Sequence, residues 1–296
     1  MQWSHSRLET FRDCPYKYKL RYLDKIEVLP PDNADNALIL GTALHTGIQH
    51  GAEKAIAEYY NSFPIIENEH VNEAIKLEYI IPRAYGCIPK DGIFEVKISK
   101  PDFLGFADLL VPVGNNEFSL YDFKYSNHAD KYKDSLQLHV YKHFLEPEYK
   151  IRDMCFLILS KVNIKQGKQE ELSQFRKRIN SKLEKTKCDV IPIKFDFKKV
   201  EQFFAGTAKA EQTNNFSKNP TYLCKWCDYE PICKEGNDCM VLPKNEKRKT
   251  TGNGRIKLWL YGAPFSGKTT FANMFPSALM LNTDGNVSFV DAPFIP

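Results

Sequence analysis

The chain has 296 residues, 43% of them hydrophobic and 26% charged, a balance that buries a sizeable core in one large domain or two smaller ones. No run approaches the roughly 18 apolar residues of a membrane span, and the opening MQWSHSRLETFRD is too polar for a signal peptide. No membrane partner and a cytoplasmic location are therefore expected. The formal net charge of +4 is mild, so any binding to a polyanion must come from a local basic surface.

In chain order, Ser6-Arg7-Leu8-Glu9 has the capping-box form and predicts a short helix that Pro15 stops. Residues 37–60 place Leu40, Leu44, Ile48, Ala52 and Ile56 at steps of four, the core stripe of one helix, and a more mixed helix is expected over 69–80. Three β-type runs follow, IFEVKIS, FLGFADLLVPV and EFSLYDFKYS. The turn signals Lys100-Pro101-Asp102 and Gly114-Asn115-Asn116 separate them, which reads as a meander. Residues 135–145 form a helix with Leu136, Val140 and Phe144 inward, and MCFLILS (154–160) is a buried strand. A charged helix near 168–186, a strand near 189–195 and a helix near 197–211 come next. A basic linker over 241–254 separates a first domain, 1–240, from a short segment, 255–296.

The stretch YDFKYS places an acid and a lysine in a run that otherwise reads as a buried strand. If Gly114-Asn115-Asn116 is a three-residue hairpin loop, Val113 faces Glu117 and Asp108 falls opposite Asp122. Opposed side chains lie about 4.5–5.5 Å apart at Cβ, and two carboxylates there repel unless a cation neutralises them. Period-two alternation puts Phe118, Leu120, Asp122 and Lys124 on one face. A divalent ion on the two acids, Mg²⁺ or Mn²⁺, beside an ammonium suits phosphate-ester hydrolysis. Glu95, on the first strand, is a weaker acidic candidate.

Eight cysteines without a secretory signal point away from a disulfide framework. Cys87, Cys155 and Cys188 read as structural. Cys224-x2-Cys227-x5-Cys233, with Cys14 far upstream, supplies four thiolates for one metal centre, either zinc or an iron–sulfur cluster; Cys239 is a spare candidate. RIKLWLYGAPFSGKTTFANMF holds Gly262-x4-Gly267-Lys268-Thr269 between an apolar strand and a helical pattern, the context of a phosphate-binding P-loop.

Several motifs in this order resemble the PD-(D/E)XK nuclease superfamily, specifically its RecB-type branch with an iron–sulfur cluster, which includes AddB-like and CRISPR-adaptation nucleases. SRLETFRDCPYKYKLRYL resembles the opening signature, GTALHTGIQH the histidine motif at His45, and GFADLL the Gly-x-x-Asp motif at Asp108. YDFKYS matches the acid-x-Lys element at Asp122 and Lys124, QLHVY resembles the Gln-x-x-x-Tyr helix at Gln137 and Tyr141, and the late cysteines resemble the cluster. The resemblance covers about residues 3–235. It implies a restriction-endonuclease-like α/β core, a mixed sheet with an antiparallel meander flanked by helices, followed by a short C-terminal βα P-loop fragment. It also implies a metal site of His45, Asp108 and Asp122, catalysis by Asp108, Asp122 and Lys124, and active-site support or DNA contact from Gln137 and Tyr141. A 4Fe–4S cluster on Cys14, Cys224, Cys227 and Cys233 completes it.

The reading is a Mg²⁺- or Mn²⁺-dependent DNA nuclease, an exonuclease of recombination, repair or phage-type DNA processing in a bacterial or phage-infected cell. Its expected partners are DNA and a recombination or replication ATPase or helicase. The alternative is a non-catalytic DNA-binding or nucleotide-sensing module that keeps the iron–sulfur scaffold. SALMLNTDG resembles the second strand of RecA-like phage ATPases, but about 42 residues after the linker are too few for such a domain. Neither tight ATP binding nor its hydrolysis is expected of this fragment.

Overall fold

The computed structural model describes residues 2–28, 33–89, 91–146, 148–235, 280–281 and 294–295. Contacts divide the chain into two units, Met1–Cys239 and Met240–Pro296. In the second, Met280–Leu281 pairs in parallel with Phe294–Ile295. Cys239, the linker and the P-loop residues Gly262, Gly267, Lys268 and Thr269 lie outside the described residues.

The first helix, α1 (His5–Asp13), is capped by Ser4, whose side chain accepts from the Arg7 N–H; the expected cap at Ser6 lies two residues further in, inside the first turn. Cys14 is extended, with φ −158°, so it ends α1, and Pro15 opens the short α2 (Pro15–Tyr18) instead of merely stopping its predecessor. Proline suits a first helical position, where its missing N–H has no intrahelical partner. The helix expected over 37–60 is two helices, α3 (Ala37–His50) and α4 (Ala52–Asn61). Gly51 sits between them with φ 103°, a conformation open to glycine, so the chain turns there although the stripe continues in the sequence. The mixed helix is α5 (Asn68–Ala84).

Strands β1 (Ile93–Ser99), β2 (Leu104–Gly114) and β3 (Glu117–Tyr125) form the antiparallel meander. The short α6 (Asp130–Lys133) and α7 (Gln137–Leu145) then cross over to β4 (Lys150–Leu159), which runs parallel to β3. After α8 (Leu172–Leu183), β5 (Cys188–Ile193) joins β4 antiparallel, giving the order β1-β2-β3-β4-β5, and α9 (Phe197–Gln212) closes the fold. This mixed five-stranded sheet between helices fits the expected restriction-endonuclease-like core.

Helices cover both faces. Trp3, Leu8, Phe103, Leu138, Phe156 and Phe203 pack one core against α1, α7 and α9; Leu44, Ile48, Tyr59, Leu77, Phe123 and Leu157 pack the other against α3, α4 and α5. Each fully buried side chain of this kind contributes about 1.5–3 kcal/mol. No described helix is long and apolar enough to cross a membrane.

Candidate active site

The site begins with the hairpin between β2 and β3. Its loop is two residues, not three: Gly114 pairs with Glu117, and Asn115 and Asn116 take φ 50° and 59°. Two positive φ angles make the turn whose twist matches the strands. A bulge between Pro112 and Gly114 absorbs the extra residue, so Leu109 pairs with Tyr121 and Leu110 with Leu120. Carried one step further, this register sets Asp108 opposite Asp122.

The same point is irregular on the β1 side. Phe94 and Leu109 pack with the α3–α5 core, whereas Val96 and Ala107, two residues along each strand, pack with the α1–α7 core. Residues two apart normally share a face. The switch falls at Glu95, whose φ is 52°, and at Asp108, and the ladder from Phe94–Leu109 to Val96–Ala107 places these two acids opposite each other. A broken pleat thus gathers side chains from both faces at one spot. One ligating atom from each of His45, Glu95 and Asp108 lies within 4.8 Å of the others.

Asp108 is 6% exposed, and its Oδ2 accepts from the Phe123 N–H at 2.6 Å. Its Oδ1 stands 3.5 Å from His45 Nδ1. The other ring nitrogen, Nε2, lies 3.2 Å from the Phe123 carbonyl, which can only accept, so Nε2 carries the proton and Nδ1 presents a lone pair to Asp108. Burial holds the imidazole below its ordinary pKa against the pull of Asp122, which keeps it neutral. Burial, then the Asp122 charge, push the Asp108 carboxyl well above the carboxylate range. Two lone-pair donors face each other across 3.5 Å, an arrangement that a proton on Asp108 or a cation between them relieves. Hard carboxylate oxygens with one neutral imidazole suit Mg²⁺ or Mn²⁺.

Asp122, 1% exposed, is held from two sides. Gln137, the first residue of α7, donates Nε2–H to its Oδ1 at 2.6 Å and lies 3.3 Å from the Tyr141 hydroxyl. Lys124 Nζ makes an ion-pair contact of 2.6 Å with Oδ2, which has no aligned hydrogen bond among the described residues. Burial opposes the Lys124 charge, but Asp122 and Asp108 outweigh it and raise its pKa. The ammonium lies 5.8 Å from the ring centres of both Tyr132 and Phe156. Gly105, three residues before Asp108, admits the Tyr141 ring: a Cβ there would meet Tyr141 Cε1 at 3.1 Å and Phe103 at 2.9 Å.

His45, Asp108, Asp122, Lys124, Gln137 and Tyr141 are thus brought together. The residue left out of the sequence reading is His5. Burial, then the charges of Lys124 and Arg12, lower its pKa to about 3, and its Nε2 is buried without a hydrogen-bond partner among the described residues. No periodicity marks it, because it opens α1 just after the cap.

The cysteines lie elsewhere. The described ones form no disulfide. Cys14 joins α1 to α2 and its Sγ accepts from the Lys17 N–H at 3.5 Å, while Cys224 accepts from the Thr221 N–H at 3.3 Å. The ends of the first unit meet here: Asn219 donates to the Asp13 carbonyl at 2.8 Å and Tyr16 N–H to Ser217 at 3.2 Å. Burial raises the Cys227 thiol pKa, with Cys14 among the neighbours that raise it further. Among the described residues, no three cysteine sulfurs lie within 4.8 Å of one another.

A family model described as the PD-(D/E)XK nuclease superfamily matches residues 2–234. Among solved structures, an exonuclease candidate from Eubacterium rectale aligns with 76% of this chain and 92% of its own, at 11% identity and a TM-score of 0.48. The protein SSO0001 aligns over 75% and 94%, at 13% identity and a TM-score of 0.32. No curated protein matches.

Proposed function

The chain belongs to the PD-(D/E)XK nuclease superfamily, and on that premise we propose that the cluster of His45, Asp108, Asp122 and Lys124 hydrolyses phosphodiester bonds in DNA. The observation that carries this reading is the lone-pair confrontation of His45 Nδ1 and Asp108 Oδ1 at 3.5 Å, next to the Asp122–Lys124 contact. Superfamily members are metal-dependent, and Asp108, Asp122 and His45 would hold Mg²⁺ or Mn²⁺, with Glu95 as a further acid. Such an ion, when bound, supplies Lewis acidity toward phosphate and lowers the pKa of water.

The chain's own residues do the rest. The Phe123 backbone fixes Asp108 through its N–H and His45 through its carbonyl, so both are oriented by one residue of β3. Gln137 orients Asp122 from the first turn of α7. Lys124 keeps its proton and holds a charge beside the acids, placed to orient water and to stabilise charge developing on the phosphate.

The finer reading is an exonuclease of recombination, repair or phage-type DNA processing. The hydrogen bonds that bring Asp13 and Tyr16 to Asn219 and Ser217, with Cys14 acting on Cys227, support a 4Fe–4S cluster on Cys14, Cys224, Cys227 and Cys233 as a clamp on the ends of the unit, with zinc as the alternative. Residues 1–240 would form the working nuclease, and 255–296 a P-loop fragment that it does not need.

The test is incubation of the purified protein with end-labelled single- and double-stranded DNA, with and without Mg²⁺ or Mn²⁺. Cleavage that needs the ion and vanishes in Asp122→Ala is expected. An Asp122→Ala protein that cuts as fast as the parent overturns the reading.

A further inference from the structure

The strand that carries Asp122 and Lys124 runs directly into the wall of a second, basic cleft. Beyond Tyr125, Ser126 N–H donates to the Leu159 carbonyl at 2.9 Å. Asn127 then grips Lys161 on both sides, donating Nδ2–H to its carbonyl at 3.0 Å and accepting from its N–H at 2.7 Å. Asn127 is three residues beyond Lys124 and two past the end of β3, roughly 10 Å away if the chain stays extended at about 3.3 Å per residue.

The cleft holds about 340 Å³ between the end of β4 and the end of α8. Four lysines line it, Lys161, Lys182, Lys185 and Lys187, together with Ser160 and Asn163 among the polar groups, and no carboxylate does. Lys161 is partly buried, its Nζ 4.8 Å from the Tyr125 ring centre, and burial lowers its pKa. The other three are exposed.

A helix C-terminus ordinarily repels anions through its unpaired carbonyls. Here Arg83 sits at that end: its Nη1 lies 3.0 Å from the Leu183 carbonyl, 2.8 Å from the Thr186 carbonyl and 2.9 Å from the Thr186 hydroxyl, three acceptors that share its two hydrogens. The guanidinium pins the turn that carries Lys185 and Lys187 and offsets the negative end of α8 with its own charge. The cleft's lining itself then offers positive charge on a fixed backbone, with Glu73 and Asp35 acting on Lys161 from outside it.

We propose that this cleft is a phosphate subsite for the DNA strand under cleavage, holding backbone phosphates a few nucleotides from the scissile bond. The inference rests on the nuclease reading for its substrate but not for its test. Phosphates at these lysines would register the strand against Asp122 and Lys124 without reading its sequence, because backbone contacts position and do not specify.

The experiment measures binding of a fluorescent single-stranded oligonucleotide by anisotropy, in EDTA, across a salt series. The parent is compared with the triple variant Lys182→Gln, Lys185→Gln, Lys187→Gln. A control triple variant neutralises the exposed Lys54, Lys168 and Lys209. Each phosphate contact on a single strand contributes about 0.7 to the salt slope, so the cleft variant should lose about 2 from the slope of log K against log salt, equally for all sequences. The control should keep the parent's slope. Equal slopes in parent and cleft variant overturn the subsite, as does a parent that shows no salt-dependent binding. Cleavage by the parent in Mn²⁺ is scored separately. A parent that cuts, with an unchanged slope in the variant, removes the subsite and leaves the nuclease. A parent that never cuts, with the slope lost in the variant, does the reverse.

Discussion

Glu95 stands opposite Asp108 where β1 and β2 both change the face they bury, and Glu95 takes a left-handed backbone, φ 52°, to do so. A non-glycine residue held there costs on the order of 1–3 kcal/mol. Glu95→Gly should therefore stabilise the metal-free protein by about 1 kcal/mol in urea denaturation. Glu95→Gln keeps the strain and should gain nothing from the backbone. If Glu95 helps to hold the ion, both variants should bind Mn²⁺ more weakly by calorimetry. Glycine that destabilises, with Mn²⁺ affinity intact, would show that the kink serves neither purpose.

The contact between His45 and Asp108 gives a sharper case. In Asp108→Asn the amide oxygen can still accept from Phe123 N–H, while its NH₂ can donate to the His45 Nδ1 lone pair. Where Asp108 is ionised, above its raised pKa, a repulsive pair becomes a hydrogen bond worth about 1 kcal/mol and a buried charge is neutralised; where it is protonated the substitution changes little. The metal-free variant should therefore melt higher than the parent only at a pH above that pKa, and at any pH it should lose the stabilisation that saturating Mn²⁺ gives the parent, about 2.7 kcal/mol at a hundredfold excess over Kd. Scanning calorimetry with and without the ion reads both effects.

Gln137 touches Asp122 and acts through it. Gln137→Leu removes the donor at 2.6 Å from Oδ1 and leaves a buried carboxylate oxygen unpaired, at a cost of about 1–3 kcal/mol. Cleavage should fall about 10–100-fold, the usual loss when a group that orients a ligand is removed. A role limited to folding would give lower stability with unchanged kcat.

The register of β2 and β3 was legible because Asn115 and Asn116 mark a turn and the strand pattern fixes which face is inward. It came out through a two-residue loop plus a bulge, two departures from the three-residue loop that cancel. The two helices split at Gly51 were not legible, since the stripe from Leu40 to Ile56 continues across the break and only the backbone angle reveals it. Glu95 gave a weak signal for a related reason: period-two counting assumes an unbroken pleat, and the pleat breaks at Glu95 itself. His5 reaches the site from α1, and Lys161, just past β4, meets the Lys182–Lys187 cluster at the end of α8, through tertiary packing that spacing in one chain does not encode.

His5 makes acid sensitivity testable. Its folded pKa, lowered to about 3, lies below the unfolded value of 6.5, so the unfolded chain takes up a proton first as pH falls. The sign is that of a depressed group: the stability is whole above pH 6.5 and is lost as pH falls toward 3. The groups that face it are Lys124, Arg12 and Glu9. Between pH 7 and 4.5 the parent should lose on the order of 2 kcal/mol that His5→Leu does not lose. Parallel losses in the two proteins, measured by urea denaturation at both pH values, would place the acid sensitivity elsewhere.

The last prediction concerns the joint between the ends of the first unit. Asn219 and Ser217 hold the Asp13–Tyr16 backbone, and Lys218 donates to the Cys233 carbonyl at 2.6 Å, so hydrogen bonds join the late segment to the first helices. A centre on Cys14, Cys224, Cys227 and Cys233 would add to that docking, because it binds the folded chain and not four scattered thiolates of the unfolded one. Anaerobically purified protein should then be brown, with broad absorption near roughly 400 nm, if the centre is iron–sulfur, and colourless with stoichiometric zinc otherwise. Cys14→Ala should lose the metal and melt several degrees lower, while Cys155→Ala, at a buried position within β4, should keep the full metal content. The same measurements on a chain ending at Met240 should give the parent's metal content and cleavage rate, since every proposed ligand and catalytic group precedes that residue. Metal content unchanged in all four single alanine variants, at Cys14, Cys224, Cys227 and Cys233, would leave the backbone contacts alone to join the ends.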